Sequence, residues 1–298
     1  MAKGPLAVNL EYGALRLFCA LVNAVPYPLA MSLARGLGWT CFHVFRFKRR
    51  RTVERIRSVF PEKSPREVVA IATRSLQNVL QTGVEMMRAP KLDREWMDRY
   101  VKDGRLYKDK LQAYVDEGKG VVIMVPHSGN WYMAAWSMAK YGLPLFAIAA
   151  RQRNPKLNAW MNRQYGDIEV LDRDCRDTLS QIREKLSAGR AFAILPDLRV
   201  RNRDVEAEFF GGKANVSRSG AAFAVKCGCP IVVAVMTRQG GRHVFNHIAT
   251  LRPDPNAADK KEEARRLTRE TLKLLSEEIM KNPGDWYWYN KRWILEPV

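Results

Sequence analysis

Between Gly120 and Pro126 the chain runs Val-Val-Ile-Met-Val without a polar residue. An apolar run this short, bounded by a glycine and a proline, reads as a buried strand rather than a helix. It sets the pattern for the rest of the sequence. Strands are expected at 120–126, 144–149, 190–196 and 230–237, with 243–252 as an edge, and helices at 131–141, 155–165, 175–188, 217–227 and 257–281. That alternation predicts an α/β domain over 116–298, built on a largely parallel sheet flanked by helices. Residues 1–115 read as helical throughout and form a preceding N-terminal segment. Its clearest signal is Ser64-Pro65-Arg66-Glu67, a serine cap with a proline in the first turn and a glutamate three residues on.

The N-terminal part also raises a membrane question. Residues 17–34 carry no charge, but Pro26 and Pro28 should break any single helix across them. A second apolar stretch, 36–45, leads into Arg46-Phe47-Lys48-Arg49-Arg50-Arg51. Two short apolar helices ending in a basic cluster predict a monotopic anchor on an anionic leaflet. No small-residue cleavage site follows, so a cleaved signal peptide is not expected. The whole chain carries 50 Lys and Arg against 31 Asp and Glu, a net +19, which favours anionic partners. Charge alone argues for nucleic acid, and no RNA-binding motif accompanies it, so none is expected as a partner. The five cysteines lack a disulfide framework or metal-ligand spacing and point to a reducing compartment.

In parallel sheets, ligands sit beyond the carboxyl ends of the strands. The turns there read Pro-His-Ser-Gly-Asn-Trp from 126, Ala-Arg-Gln-Arg-Asn-Pro from 150, Pro-Asp-Leu-Arg from 196 and Thr-Arg-Gln-Gly-Gly-Arg from 237. One histidine, one aspartate and several arginines are expected to converge, a set suited to proton transfer on a substrate bearing phosphate or a related anion. His127, Asn130, Arg151, Asp197 and Arg199 are the candidates these turns supply. His43, His243 and His247 lie outside such turns and read as core or surface residues. No His/Cys/Asp cluster has ligand spacing, so neither a metal nor a bound cofactor is expected.

Three further stretches carry a resemblance. His-Ser-Gly-Asn-Trp after a strand, Phe-Phe-Gly-Gly-Lys-Ala-Asn-Val-Ser-Arg-Ser-Gly from 209, and Asn-Pro-Gly-Asp-Trp-Tyr-Trp-Tyr-Asn-Lys-Arg-Trp from 282 stand in order. Together they resemble the lysophospholipid acyltransferase superfamily, and more closely its branch of late acyltransferases of lipid A biosynthesis. That branch includes lauroyl and myristoyl transferases and related mannoside acyltransferases. The likeness covers nearly the whole chain. It implies a glycerolipid acyltransferase-like fold that moves a fatty acyl chain from a thioester onto a lipid hydroxyl. The donor would be acyl carrier protein or acyl-CoA as co-substrate, and the acceptor a phosphorylated glycolipid, first of all a lipid A precursor. It further implies a peripheral or monotopic protein on the cytoplasmic face of the inner membrane, touching anionic lipid.

The resemblance also assigns residues. His127 matches the family's base, which removes the acceptor's proton; an acidic residue five positions later normally orients it. Here that position is Tyr132, a phenol that does little to stabilise an imidazolium. Asp197, at the end of a neighbouring strand, is the expected substitute. Arg151, Asn154, Asn158 and Arg199 match segments near the acceptor, and Gly211, Gly212 and Ser219 match a substrate-binding block. Two alternatives stand beside the lipid A reading. One is an acyl-CoA-dependent enzyme acting on another glycolipid or a lysophospholipid; the other is an impaired, lipid-binding family member, suggested by Tyr132. The aromatic tail, Trp286 to Trp293, has three readings: closing the core, resting at a membrane interface, or stacking on bases.

Overall fold

The computed structural model describes residues 4–296; the ends of the two expected segments, 1–3 and 297–298, lie outside the described residues. Four helices come first: α1 (Pro5–Ala24), α2 (Tyr27–His43), α3 (Arg49–Val59) and α4 (Pro65–Arg88). Pro26 precedes α2 and Pro28 lies in its first turn, where a missing N–H breaks no bond. The two prolines thus separate α1 from α2 and interrupt neither.

α2 buries Ala30, Ala34, Gly38 and Phe42, spaced four apart, against α4. A Cβ on Gly38 would stand 2.8 Å from the Gln77 Cα, so this seam needs its small residue. Leu29, Leu33 and Leu37 on α2 remain exposed. α1 buries no residue at all and leaves Leu6, Leu10, Leu17, Phe18 and Leu21 exposed. Half-buried Tyr12, Leu15 and Cys19 pack one side of it against the core, and Arg88 donates to the carbonyls of Val22 and Val25 at its C-terminal end. By length and composition alone α1 is apolar enough to cross a membrane.

The remaining elements are α5 (Arg94–Tyr100), β1 (Val101–Lys102), α6 (Gly104–Asp116), β2 (Val121–Met124), α7 (Trp131–Lys140), β3 (Leu145–Ala149), α8 (Pro155–Gln164), β4 (Glu169–Asp172), α9 (Thr178–Ser187), β5 (Ala191–Ile194), β6 (Val205–Phe209), β7 (Gly212–Val216), α10 (Ser219–Cys227), β8 (Ile231–Gln239), β9 (Arg242–Leu251) and α11 (Lys260–Lys281). The main sheet runs β1-β9-β8-β2-β5-β3-β4, parallel except for the β8–β9 hairpin. β2 lies at its centre and is buried on both faces. Val122 and Met124 join one apolar cluster with residues of α3, α4 and α11, whereas Val121, Ile123 and Val125 join another with α5, α6 and α7.

Three details depart from the sequence reading. β9, expected as an edge, is one over most of its length, but the two-residue β1, which arises inside the helical segment, pairs in parallel with its His243 and Val244. β4 was not expected; it is a four-residue edge strand with charged ends. The β6–β7 hairpin was not expected either, although Val205, Ala207 and Phe209 alternate as buried residues with exposed Glu206 and Glu208.

Candidate active site

Beyond β2 the chain makes a sharp turn at His127-Ser128-Gly129-Asn130 and enters α7. Asn130 caps that helix, its Oδ1 accepting the Met133 N–H at 3.0 Å. Gly129 has φ of +57°, and a Cβ there would fall 1.7 Å from the Met236 carbonyl oxygen, so no other residue fits. The C-terminal segment clamps the turn: the Gly129 N–H donates to the Asp285 carbonyl and the Tyr287 N–H to the His127 carbonyl, each at 2.9 Å.

β5 is hydrogen-bonded to β2, so Asp197, just past its end, arrives beside His127. The imidazole Nδ1–H donates to Asp197 Oδ1 at 2.8 Å, and the His127 backbone N–H donates to Oδ2 at 2.8 Å. Trp286 supplies a third donor, its Nε1–H reaching Oδ2 at 2.8 Å. The carboxylate is fully buried. Burial pushes its pKa up, but the adjacent His127 and these hydrogen bonds outweigh it and hold the group below its ordinary value. An ionised carboxylate on Nδ1 fixes the tautomer with the lone pair on Nε2. The His127 side chain keeps 17% of its surface exposed.

His127 forms part of the wall of a cavity of about 530 Å³ whose other walls are mostly apolar, among them Met138, Leu145, Ile148, Ile182 and Phe223. A polymethylene chain gains about 0.8 kcal/mol for each buried CH₂ in such a place. An imidazole oriented by a buried carboxylate therefore borders a space suited to a long hydrocarbon.

The sequence profile of the family described as bacterial lipid A biosynthesis acyltransferase matches residues 10–294. The chain belongs to that family. It is similar to the phosphatidylinositol mannoside acyltransferase of Mycolicibacterium smegmatis, with 23% identity over 285 residues, 93% of this chain and 89% of the relative. The protein of the same name from Mycobacterium tuberculosis H37Rv is 23% identical over 253 residues, 83% of this chain and 77% of the relative. The protein is an acyltransferase.

The other residues singled out in the sequence of this acyltransferase fall in several places. Tyr132 also lines the apolar cavity, but its ring stacks on Trp136 and makes no hydrogen bond to His127. Asp197, and not Tyr132, is hydrogen-bonded to Nδ1. Ser219 lines the cavity as well, and its Oγ accepts from Ser217. Gly211 and Gly212 belong to the tip of the β6–β7 hairpin, where Gly211 supplies a positive φ of +73° and Gly212 lies against Leu295.

The arginines do not converge on His127 as expected. Arg151 pairs with Asp172 at the end of β4 at 2.5 Å and lines, with Asn158, a cleft of about 440 Å³ that adjoins the His127 cavity through Ala149, Tyr165 and Val170. Arg199 donates to the Glu296 carbonyl. Arg238 turns inward from β8 because a buried carboxylate, Glu85, awaits it. The cation that does line the cavity is Arg173, just past β4, and the sequence reading passed it over. Asn154 and Asn158 have local duties. Asn154 caps α8 and reaches back to Val8 and Glu11 of α1, while Asn158 Oδ1 accepts from the Gln152 N–H. Among the described residues no group of three or more His, Cys, Asp or Glu is placed to hold a metal ion.

The sequence reading also missed what supports the turn from behind. Ser75, Asn78, Thr82 and Glu85 lie three and four residues apart on α4, all buried, forming a polar stripe on a core-facing helix side. Ser75 donates to the Trp286 carbonyl, Asn78 to the carbonyls of Gly129 and Asp285, and Thr82 to that of Gly129. Glu85 accepts from Asn130 Nδ2 at 2.6 Å, from Tyr27 at 2.7 Å, from His243 at 2.8 Å and from both terminal nitrogens of Arg238. Burial pushes the Glu85 pKa up, yet Arg238 and His243 hold it well below the usual carboxylate range. The helical spacing of four polar residues was the available signal. The aromatic tail closes the core, with Trp286, Trp288 and Tyr289 buried.

Proposed function

We propose that this acyltransferase moves a fatty acyl chain from a thioester to a hydroxyl of a phosphorylated glycolipid, first of all a lipid A precursor. The observation that carries the reading is the His127–Asp197 pair beside an apolar cavity. The acceptor hydroxyl gives its proton to Nε2 of His127 as its oxygen attacks the thioester carbonyl. The tetrahedral centre then collapses, the C–S bond breaks, and the imidazolium returns the proton to the leaving sulfur. Ester and free thiol result. Asp197 stabilises the imidazolium between the two transfers. The acyl chain occupies the cavity, and the thioester is a co-substrate on acyl carrier protein or coenzyme A, with no metal or bound cofactor.

Arg151, with Arg153 and Asn158 in its cleft beyond β3, is the proposed contact for the acceptor's phosphate. The exposed leucines of α1 and α2, with the basic run from Arg46 to Arg51, attach the protein to an anionic leaflet, on the cytoplasmic face of the inner membrane. The relatives' names favour a second acceptor, a phosphatidylinositol mannoside. Mass spectrometry of products from purified protein, supplied with acyl carrier protein or CoA thioesters and each acceptor in turn, separates these readings. A mass gain of one acyl chain on the lipid A precursor supports the first. Gain on the mannoside alone moves the acceptor class, and gain on neither with any donor overturns the reaction.

A further inference from the structure

A second cleft, of about 890 Å³, opens between α2, α4, α5 and the β8–β9 hairpin and shares no lining residue with the cavity at His127. Its charged lining is one-sided: Arg35, Arg74, Arg99, Arg238 and Arg242 face a single carboxylate, Asp285. Three of these arginines have partners within the protein. Arg238 pairs with Glu85, Arg74 with Asp285 at 3.0 Å, and Arg99 with Glu95 at 3.2 Å. Arg35 and Arg242 are exposed and have no ion pair among the described residues. Between the arginines stand Gln77 and Gln81, whose amides each donate once to a carbonyl of α2 and keep a second hydrogen for an oxyanion, while the Ser32 hydroxyl is taken up by the Pro28 carbonyl. The lining also includes His243, whose buried Nδ1 has no hydrogen-bond partner.

Cationic groups gathered in a concavity focus their field on an anion far better than the same charges spread over a convex surface. Guanidinium groups match phosphate oxygens in shape as well as charge. The location narrows the source of that phosphate. Met31, Ser32 and Arg35 of α2 line the cleft, whereas Leu29, Leu33 and Leu37 of the same helix are exposed and apolar. A helix with its side chains is only about 10 Å across. A bilayer that takes up those leucines therefore places its headgroup layer within about one helix diameter of the cleft, which opens on the far side of α2.

We propose that this cleft is a headgroup site for an anionic membrane phospholipid, bound through its phosphate by Arg35 and Arg242 and separate from the acceptor site. The inference rests on the membrane attachment of α1 and α2 proposed above. It assigns to the fold a lipid that is held but not acylated, seated on the outer side of the network that positions Asn130.

The test uses full-length protein and vesicles of phosphatidylcholine, either pure or with a minority of phosphatidylglycerol. The double variant Arg35→Gln/Arg242→Gln is compared with Lys119→Gln/Lys273→Gln, which removes the same charge from exposed positions outside the cleft. Loss of a charge-assisted hydrogen bond weakens binding by about tenfold or more. The cleft variant should therefore bind phosphatidylglycerol vesicles at least about tenfold more weakly than the control variant, with binding to pure phosphatidylcholine unchanged and melting temperature retained. Equal losses in both variants would overturn the site and reduce these arginines to solvated charge. Protection of the wild type, but not the cleft variant, by inorganic phosphate at matched ionic strength, without a difference on vesicles, would replace the lipid by a soluble anion. Loss of affinity for acyl carrier protein instead of vesicles would make the cleft a protein-docking surface. If the wild type binds neither vesicle, the attachment of α1 and α2 fails and the lipid site with it, a result distinct from equal variants.

Discussion

Among the described residues two histidine–carboxylate pairs have the same length but different surroundings. His127 meets Asp197 at 2.8 Å, and His243 meets Glu85 at 2.8 Å; both carboxylates are fully buried. The pairs differ in what surrounds them. His127 retains accessible surface and borders a cavity, and among the described residues the other side-chain donor to Asp197 is the neutral indole of Trp286. His243 is 1% exposed and shares its carboxylate with Arg238. Burial pushes the His243 imidazole down and Arg238 adds to that, outweighing Glu85, so the ring stays neutral. A guanidinium already neutralises Glu85, which therefore has no charge to spare for a second cation. A histidine–carboxylate contact marks a proton-transfer site only when the ring is reachable and the carboxylate is otherwise uncompensated.

The largest expected effect separates the pairs outright. His127→Ala should lower turnover by about 10²–10⁴-fold, the usual contribution of a positioned base, with little change in melting temperature. His243→Ala should do the reverse, lowering the melting temperature while turnover per folded molecule stays near wild type. A stable His243→Ala protein without activity would break the distinction. Glu85→Gln comes next. It leaves Arg238 buried without a counter-charge, which costs about 3–5 kcal/mol in comparable buried pairs, read as a lower denaturant midpoint.

The same residue predicts a pH dependence. Because the folded Glu85 pKa lies below its ordinary value of 4.5, the unfolded chain takes up a proton first as pH falls. The stabilisation is thus complete above about pH 5 and is lost progressively on acidification below it. Asp197, also depressed, contributes with the same sign. Melting temperature measured from pH 6 downward should fall less steeply in Glu85→Gln than in the wild type; parallel curves would contradict this. The smallest effect belongs to Tyr132. Tyr132→Phe should change turnover by less than about tenfold, or under ~1.4 kcal/mol. Tyr132→Glu should lower activity rather than restore it, since it puts a carboxylate into an apolar cavity while Asp197 already holds Nδ1.

Much of this arrangement was legible in the sequence, for identifiable reasons. β2, β3, β5 and β8 show as apolar runs because buried parallel strands have no polar face. Placing the carboxyl ends of β2 and β5 together was enough to bring His127 and Asp197 into one site. β4 escaped notice because only Leu171 of its four residues is buried. Trp286 and Glu85 were illegible as site residues, lying 89 positions from Asp197 and 45 from Asn130 respectively, and only folding reveals such pairings. The arginines misled for a related reason. Arg151, Arg199 and Arg238 stand at strand ends as expected, but position along a strand does not say which partner claims a long side chain. Asp172, the Glu296 carbonyl and Glu85 claim them here.

In the proposed reaction Asp197 supplies the charge that makes His127 a base, in the absence of an acidic residue at position 132. Asp197→Asn tests it most directly, because the amide keeps the side chain's shape and removes only the charge. Turnover of the acyl-transfer reaction should be measured for this variant at saturating donor, beside its melting temperature. A loss of about 10³–10⁴-fold is expected, comparable with loss of the same charge in a hydrolase triad, in a protein that still unfolds cooperatively. Turnover within tenfold of wild type in a folded Asp197→Asn protein would contradict it.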